Sequence, residues 1–175
     1  MLFAVKDLEL RKIRFETSFA PGRIDFLDPA LKQVAPLEAS GVAELAGPLE
    51  DIRVHGRLAG SLEGKCDRCL EPVPLKVGGE FDLLYRPAEA DSAQAEKAIS
   101  EEDTEVGYYE GSGVQLEDVV REQVLLWLPL HVFCQPGCKG ICPTCGVNRN
   151  REACACQAPR LDDRWAALKN FKTGD

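Results

Sequence analysis

The amino-acid sequence predicts an α+β fold, in which a curled or barrel-like antiparallel β-sheet carries a packed helix and is followed by a small cysteine-rich module. Three observations support this prediction. Apolar residues alternate in the first half, a later segment repeats them at three- and four-residue steps, and eight cysteines cluster at short spacings. The chain has 175 residues, 45% of them hydrophobic, which suffices for one core with an appended module.

The strongest β signal lies between Asp51 and Tyr85. Even positions from Asp51 to Cys66 are mostly apolar or glycine and odd positions mostly polar, which predicts a long strand with one buried face. From Val73 to Tyr85 the odd positions are apolar or small instead, which predicts a second strand and a hairpin that turns at a Cys-x2-Cys pair. Glycines on the apolar face allow close backbone approach or curvature, and therefore favour a curled or barrel-like sheet. They are Gly56, Gly60, Gly64 and Gly79.

Charged residues on the outer face of this hairpin are predicted to pair across the strands. With the turn centred on the cysteine pair, Arg53 lies opposite Asp82 and His55 opposite Glu80. The alternative is that Arg53, His55 and Arg57 contact nucleic acid, but the opposing carboxylates favour pairing. Shorter strands are predicted at Leu8 to Glu16, Arg23 to Phe26 and Gly41 to Ala46.

The chain is predicted to divide into four parts. Residues 1–86 are the β-rich domain, and residues 87–110, with eight acidic residues and one lysine, form a flexible acidic linker. Residues 111–133 contain a helix from Gln115 to Leu128, whose apolar stripe packs on the sheet. Residues 134–175 form the cysteine-rich module, with a second helix from about Arg160 to Phe171.

The spacing of the cysteines predicts metal sites. Six of the eight fall within the 23 residues from Cys134 to Cys156, and Cys66 and Cys69 form the pair at the hairpin turn. Residues Met1 to Lys6 have no positively charged segment or cleavage site, so we expect a cytoplasmic protein. Thiols stay reduced in that compartment, which favours a metal over disulfides. The sequence has no run of 18 apolar residues, so no membrane span is expected.

Two metal chemistries compete for these thiols. The spacing of Cys138, Cys142 and Cys145 matches the iron–sulfur motif of radical enzymes that cleave S-adenosylmethionine, but those enzymes build a large barrel downstream and only 30 residues follow Cys145. The run Cys142-Pro143-Thr144-Cys145-Gly146 instead predicts a zinc knuckle. Its two thiolates face one tetrahedral ion, and the glycine admits a positive φ. We therefore predict Zn²⁺, one or two ions, in a structural role.

Eight thiols can be divided into two sets of four. The first predicted site consists of Cys142, Cys145, Cys154 and Cys156, because a loop of eight residues closes it locally. The possible second site consists of Cys66, Cys69, Cys134 and Cys138. It would tie the hairpin turn to the segment after the helix. Cys138 is the uncertain member of this division, since it could replace Cys154 in the first site.

The sequence argues against an enzyme. It has only two histidines, His55 and His131, and neither a glycine-rich phosphate loop nor a recognisable catalytic motif. A thiol oxidoreductase that uses Cys66 and Cys69 is a further alternative, but such redox pairs normally occupy a βαβ setting that this region lacks. No small-molecule substrate is expected.

The charge distribution leaves two kinds of partner open. Residues 1–133 carry 14 Lys or Arg against 25 Asp or Glu, a net charge of -11, whereas residues 134–175 carry 7 against 4, a net charge of +3. RNA contact would therefore be local to the cysteine-rich end, with Lys139, Arg149 and Arg151 as candidates. The acidic body could instead hold a basic protein.

Four unusual motifs follow one another along the chain: Cys66 to Val73, the segment Val120 to Pro129, the run Cys138 to Gly146, and Arg160-Leu161 with a closing helix. Their order resembles that of the YceD family of bacterial proteins. The resemblance covers roughly residues 45 to 171 and contributes little before residue 40. In this chain Val147 to Arg151 is more basic than the usual form, which has a leucine before the final asparagine.

The resemblance implies a function as well as a fold. It implies a non-enzymatic ribosome-biogenesis factor that supports accumulation or maturation of 23S ribosomal RNA, in contact with that RNA or the pre-large-subunit particle. It also implies that Cys66 and Cys69 are the first cysteine pair of the family. Cys138, Cys142, Cys145, Cys154 and Cys156 correspond to its C-terminal cluster.

Overall fold

The computed structural model describes residues 1–47, 49–89, 106–156 and residue 164. The strands are β1 Leu2–Ala4, β2 Ile13–Phe19, β3 Lys32–Gln33, β4 Leu37–Ala46, β5 Asp51–Lys65, β6 Pro72–Pro87, β7 Val106–Tyr109 and β8 Gly113–Gln115. The helices are α1 Val5–Leu10 and α2 Leu116–Trp127. The predicted second helix, Arg160 to Phe171, lies outside the described residues apart from residue 164.

The chain forms two compact units. The first comprises Met1–Gly64 and Val73–Leu130, and the second comprises Lys65–Pro72 and His131–Asp175. Within the described part of the first unit, the main sheet has the strand order β2-β4-β5-β6-β7, with β3 also pairing β5, and a small sheet pairs β1 with β8. The mostly β architecture with a helix after the hairpin agrees with the predicted α+β class.

The apolar face of β5 lies in the core, as its period-two pattern predicts. Ile52, Val54, Leu58 and Leu62 are almost completely buried. The predicted helix begins and ends within one residue of the expected bounds, and its buried residues lie on the predicted stripe. They are Leu116, Val119, Val120, Gln123 and Val124.

A glycine pair lets β4 and β5 approach closely. Gly41 and Gly56 are register partners, and a Cβ on Gly56 would lie 2.1 Å from the carbonyl oxygen of Ser40. Close backbone approach was one of the two roles predicted for glycines on this face. The second role was curvature, and the barrel-like sheet inferred from it is wrong, because the sheet does not close.

The sheet is open because its outer strands do not meet. Among the described strands, β2 pairs only with β4 and β7 pairs only with β6, whereas a barrel requires the first and last strands to pair. The sheet is also not wholly antiparallel, because β7 runs parallel to β6. Most of the predicted acidic linker, residues 87–110, lies outside the described residues, but Val106–Tyr109 fall within it. They form a strand, and Tyr109 is buried and donates a hydrogen bond to the Glu50 carbonyl at 2.9 Å.

The charged outer face confirms one predicted pair and corrects the other. Arg53 makes two hydrogen bonds to Asp82, at 2.8 and 2.5 Å. The side chain of His55 contacts Glu44 on β4, at 3.8 Å, and not Glu80, since β5 is a central strand with carboxylates on both sides of it. Glu80 pairs with Arg57 at 3.1 Å instead. Arg53, His55 and Arg57 thus all contact carboxylates, as the predicted cross-strand pairing requires.

Two of the shorter strand predictions need correction. The segment from Leu8 to Glu16 is divided between the end of α1 and the start of β2. The segment from Arg23 to Phe26 is not a strand, although Ile24 and Phe26 are buried. Alternating burial therefore occurs here in a loop, which Leu27 follows with a φ of 58°. The third prediction, Gly41 to Ala46, is the second half of β4.

Candidate metal centres

One group of four cysteines joins the hairpin turn to the segment after α2. Cluster A consists of Cys66, Cys69, Cys134 and Cys138. Its four Sγ atoms lie within 4.8 Å of one another, with 3.8 Å between Cys66 and Cys138 and 3.5 Å between Cys69 and Cys134. Three of the four residues are buried and Cys134 is exposed.

The second group forms locally in the sequence. Cluster B consists of Cys142, Cys145, Cys154 and Cys156, with all four Sγ atoms again within 4.8 Å of one another. Cys142 is buried, whereas Cys145 and Cys156 are exposed. The structure thus brings together the same two sets of four thiols that the spacing suggested, with Cys138 in cluster A. The identity of the metal and its ligands remains a prediction.

The two Cys-x2-Cys pairs adopt the same turn. In cluster A, the Leu70 N–H donates to the Cys66 carbonyl at 2.9 Å and the Cys66 N–H donates to the Glu71 carbonyl at 2.8 Å. In cluster B, Gly146 and Cys142 make the equivalent hydrogen bonds, both at 2.8 Å. The residue after the second cysteine has positive φ in each turn, 62° for Leu70 and 75° for Gly146. The structure therefore contains two knuckles of one design.

The sulfur geometry suits a single tetrahedral ion. Four thiolates about 2.3 Å from one zinc ion would lie about 3.8 Å from each other, close to the two distances in cluster A. A disulfide would need about 2.05 Å, and all eight cysteines are free thiols. In a multi-iron cluster the thiolates bind different iron atoms, which spreads them over the width of the cluster. Four sulfur donors at these distances therefore fit one thiophilic ion per cluster.

The surroundings of cluster A lower the pKa of two of its thiols, which favours the thiolate form that binds a cation. Burial acts to raise the pKa of Cys66, but backbone N–H groups, first that of Cys134, outweigh it and lower this pKa to about 6. Burial likewise opposes the lowering of the Cys138 pKa, which the Asn150 side chain brings about. The hydrogen-bonded Cys69 thiol raises the pKa of Cys134 to about 12. Four adjacent thiols cannot all ionise without a cation to balance their charge.

In cluster B, as in cluster A, the pKa of one thiol is lowered and that of another is raised. The backbone N–H of Cys145, followed by that of Thr144, lowers the pKa of Cys142 to about 6. The contact with Cys145 raises the pKa of Cys156 to about 12. In each cluster the pKa of the first cysteine of the knuckle is lowered, in part because the turn directs backbone N–H groups toward its sulfur.

Two asparagines support cluster A through a network of hydrogen bonds. Asn150 Nδ2 donates to Cys138 Sγ at 3.3 Å, and Asn150 Oδ1 accepts from the Lys139 N–H at 2.8 Å. Asn150 also donates to Asn148 Oδ1 at 2.9 Å, and Asn148 donates to Glu71 at 3.1 Å. These contacts orient a candidate ligand and connect it to the chain beyond the cluster B knuckle. The sequence had singled out this segment for its arginines only, and two asparagines spaced by one residue were the missed signal.

The three RNA-binding candidates occupy two kinds of surroundings. Lys139 and Arg149 are exposed, and neither forms an ion pair with another described residue. Arg151 is exposed but pairs with Glu71 at 2.8 Å. Their backbones are fixed close together, since the Arg149 N–H donates to the Gly140 carbonyl at 2.9 Å.

A further cation was not predicted from the sequence. Arg68, between the two cysteines of the first knuckle, donates to the Cys138 carbonyl at 3.1 Å and lies over the ring of Phe133, 4.5 Å from its centre. These contacts cross more than 60 positions of sequence, so no local pattern could reveal them.

In the described part of the chain, no helix is long and apolar enough to cross a membrane.

Comparison with known proteins identifies related sequences. The family model described as "Large ribosomal RNA subunit accumulation protein YceD" matches residues 54–172. An uncharacterized protein of Mycobacterium tuberculosis is 35% identical over 153 residues, which are 87% of this chain and 70% of that protein. No solved structure is significantly similar to the chain.

Two plant relatives carry the name "Large ribosomal RNA subunit accumulation protein YCED homolog 1, chloroplastic". The protein of Zea mays is 25% identical over 141 residues, which are 67% of this chain and 48% of the relative. The protein of Arabidopsis thaliana is 26% identical over 142 residues, which are 69% of this chain and 44% of the relative.

Proposed function

The chain belongs to the YceD family, and from this premise we propose that it is a non-enzymatic ribosome-biogenesis factor that supports accumulation or maturation of 23S ribosomal RNA. We further propose that it acts in the cytoplasm, binds the RNA or the pre-large-subunit particle, and contains two structural zinc ions. The name of the family supports the ribosomal role.

The observation that carries the proposal is the closure of both clusters. Each offers four thiol sulfurs within 4.8 Å of one another, so an ion held by all four has no open coordination position for water or substrate. Such a metal folds the second unit and does no chemistry. The same grouping argues against a redox role for Cys66 and Cys69, because the sulfur of each lies 3.5–3.8 Å from that of a cysteine outside the pair, as two ligands of one ion would.

The distribution of charge supports an RNA contact on the second unit. Residues 65–72 and 131–156 carry five Lys or Arg against three Asp or Glu, a net charge of +2. The chain as a whole carries -8 and would be repelled by a phosphate backbone, so binding requires a local cationic surface. Lys139 and Arg149 provide it, since both are exposed beside cluster A and the cluster B knuckle.

Complementation tests this function. The chain is expressed in a bacterium that lacks its own YceD-family gene, and the ratio of 23S to 16S ribosomal RNA is measured. Wild type is expected to restore the ratio, whereas a variant with Lys139→Glu and Arg149→Glu is expected to fall short. The matched control carries Lys32→Glu and Lys76→Glu, which reverse two exposed lysines of the first unit. Failure of wild type to restore the ratio would contradict the proposal.

The acidic charge of the first 133 residues favours one second candidate, a binding protein or chaperone for a basic ribosomal protein. In that case the variant with Lys139→Glu and Arg149→Glu should restore the 23S ratio as well as wild type. Purification from cells would then yield a ribosomal protein without precursor RNA. The two candidates therefore give opposite results in the same experiment.

A further inference from the structure

Three groups with planar faces lie together at the edge of cluster A. The guanidinium of Arg68 lies 4.5 Å above the centre of the Phe133 ring. The rings of Phe133 and His131 are nearly parallel, with 20° between their planes and 6.0 Å between their centres. Phe133 is 41% exposed, and the side chain of His131 is 77% exposed. We call Arg68, His131 and Phe133 the aromatic stack.

The backbone beneath the aromatic stack is fixed. The Asp67 N–H donates to the Val132 carbonyl at 2.8 Å, and the Val132 N–H donates to Asp67 Oδ2 at 2.9 Å. The carboxylate of Asp67 also contacts His131 at 3.4 Å. Arg68 lies between two cysteines of cluster A, and Phe133 directly precedes a third. A metal bound by cluster A would therefore lock both sides of the stack in place.

The aromatic stack has the chemistry of a nucleobase platform. Unpaired bases stack on Phe and His rings and on Arg guanidinium planes, whatever the base, because every base has a π face. An exposed ring beside a cation is also suited to this purpose because a cation neutralises the phosphate that accompanies the base. Here Arg68 donates to the Cys138 carbonyl, and that peptide leads into exposed Lys139.

We infer that the aromatic stack binds unpaired bases of single-stranded RNA while Lys139 and Arg149 contact the adjoining phosphates. The inference rests on the proposed ribosomal RNA function and gives it a recognition mode, single-stranded RNA in preference to duplex. In a duplex the faces of the bases are already stacked on one another and cannot reach the rings. Cluster A then has a defined purpose, which is to hold Arg68 and Phe133 together.

Binding to matched oligoribonucleotides tests the stack on the full-length, metal-loaded protein. Fluorescein-labelled oligoadenylate is compared by fluorescence anisotropy with an abasic oligoribonucleotide of equal length, which has the same charge without bases. Wild type is expected to bind oligoadenylate more tightly, by roughly five- to a hundredfold for one stacked base. Phe133→Leu should remove most of this preference and leave binding to the abasic strand unchanged.

Three controls separate stacking from folding. Phe133→Tyr keeps the ring and should retain the preference, whereas Tyr108→Leu removes an exposed ring of the first unit and should not affect it. Metal content of each variant is measured to show that the clusters are intact. Lys139→Glu should weaken binding to both strands and reduce the salt dependence, because its contact is with phosphate.

Two outcomes would contradict the inference that the aromatic stack binds bases. One is equal affinity of wild type for the two strands, or no binding to either. The other is a metal-loaded Phe133→Leu variant that still prefers oligoadenylate to the abasic strand. The inference is contradicted in the same way if that variant keeps the preference but loses a co-purifying protein. Either result leaves the ribosomal RNA function standing if wild type still restores the 23S ratio in cells, so the two proposals fail separately.

Discussion

The Sγ atom of Cys66 lies 3.8 Å from that of Cys138, although 72 positions separate the two residues in sequence. The contact joins the hairpin turn to the chain that follows α2, and both belong to the second unit. This unit has few fully buried apolar side chains among its described residues, and most of its buried residues are cysteines. A metal in cluster A would therefore take the place of a hydrophobic core.

The first prediction concerns the positive φ of the cluster B knuckle. Gly146→Ala should lower the free energy of unfolding of the metal-loaded protein by ~1–2 kcal/mol, because an L-residue is strained at a φ of 75°. A Cβ there meets no atom within 4 Å, so the effect isolates backbone strain. Gly137→Ala is the control, since Gly137 has equal space without positive φ. Equal effects of the two substitutions in denaturant titrations would refute this explanation.

The opposite effect on stability is expected at Leu70, the equivalent position in the cluster A knuckle. Leu70 is exposed with a φ of 62°, so Leu70→Gly should relieve strain and raise the free energy of unfolding by up to ~1 kcal/mol. Part of the gain will be lost to the greater freedom of glycine in the unfolded chain. Thermal unfolding of the two proteins measures the difference. A clear loss of stability would show that Leu70 contributes a contact that outweighs its strain.

Asn150 is predicted to support cluster A specifically. Asn150→Ala removes the donor to Cys138 Sγ and should weaken zinc binding at one of two sites by about 10- to 100-fold, the usual effect of losing a group that orients a ligand. Competition with a chromophoric chelator measures both affinities. Arg149→Ala, at the adjacent exposed position, should leave both unchanged. Loss of affinity at both sites, or at neither, would count against the network as a specific support.

Zinc binding should release protons and weaken as the pH falls. Without metal, Cys134 and Cys156 keep their protons at neutral pH because their pKa values are raised to about 12, and a zinc ion must displace them. Below about pH 6 the Cys66 and Cys142 thiolates become protonated as well, so the stability that metal confers is present above this pH and lost below it. Calorimetric titrations in buffers of different ionisation enthalpy measure the protons released. An affinity independent of pH between 5 and 8 would contradict the prediction.

Local patterns made the hairpin and the helix predictable, because each depends on neighbours in sequence. The alternation around Ile52 and Val54 predicts β5, and the stripe through Val120 and Val124 predicts α2, since a buried face imposes its period on the residues that form it. Closure of the sheet was not predictable in this way. It depends on whether distant edge strands meet, and the parallel strand β7 has only four residues.

The metal centres were predictable in part for the same reason. A Cys-x2-Cys pair followed by Gly146 indicates a knuckle locally, and short loops favour the grouping of cluster B. In contrast, the contacts of Asn150 with Cys138 and of Arg68 with Phe133 arise only when separate segments fold together. Residue types alone gave no reason to select Arg68 over the other arginines.

Metal analysis of the purified protein tests the central claim most directly. Elemental analysis should find about two zinc ions per chain, and zinc X-ray absorption should show four sulfur neighbours at about 2.3 Å. Replacing Cys66 and Cys138 by Ser should leave about one zinc, as should replacing Cys142 and Cys145, because each pair serves its own cluster. A brown protein that contains iron, or oxygen and nitrogen neighbours at the zinc, would contradict the claim of two closed four-thiolate zinc centres.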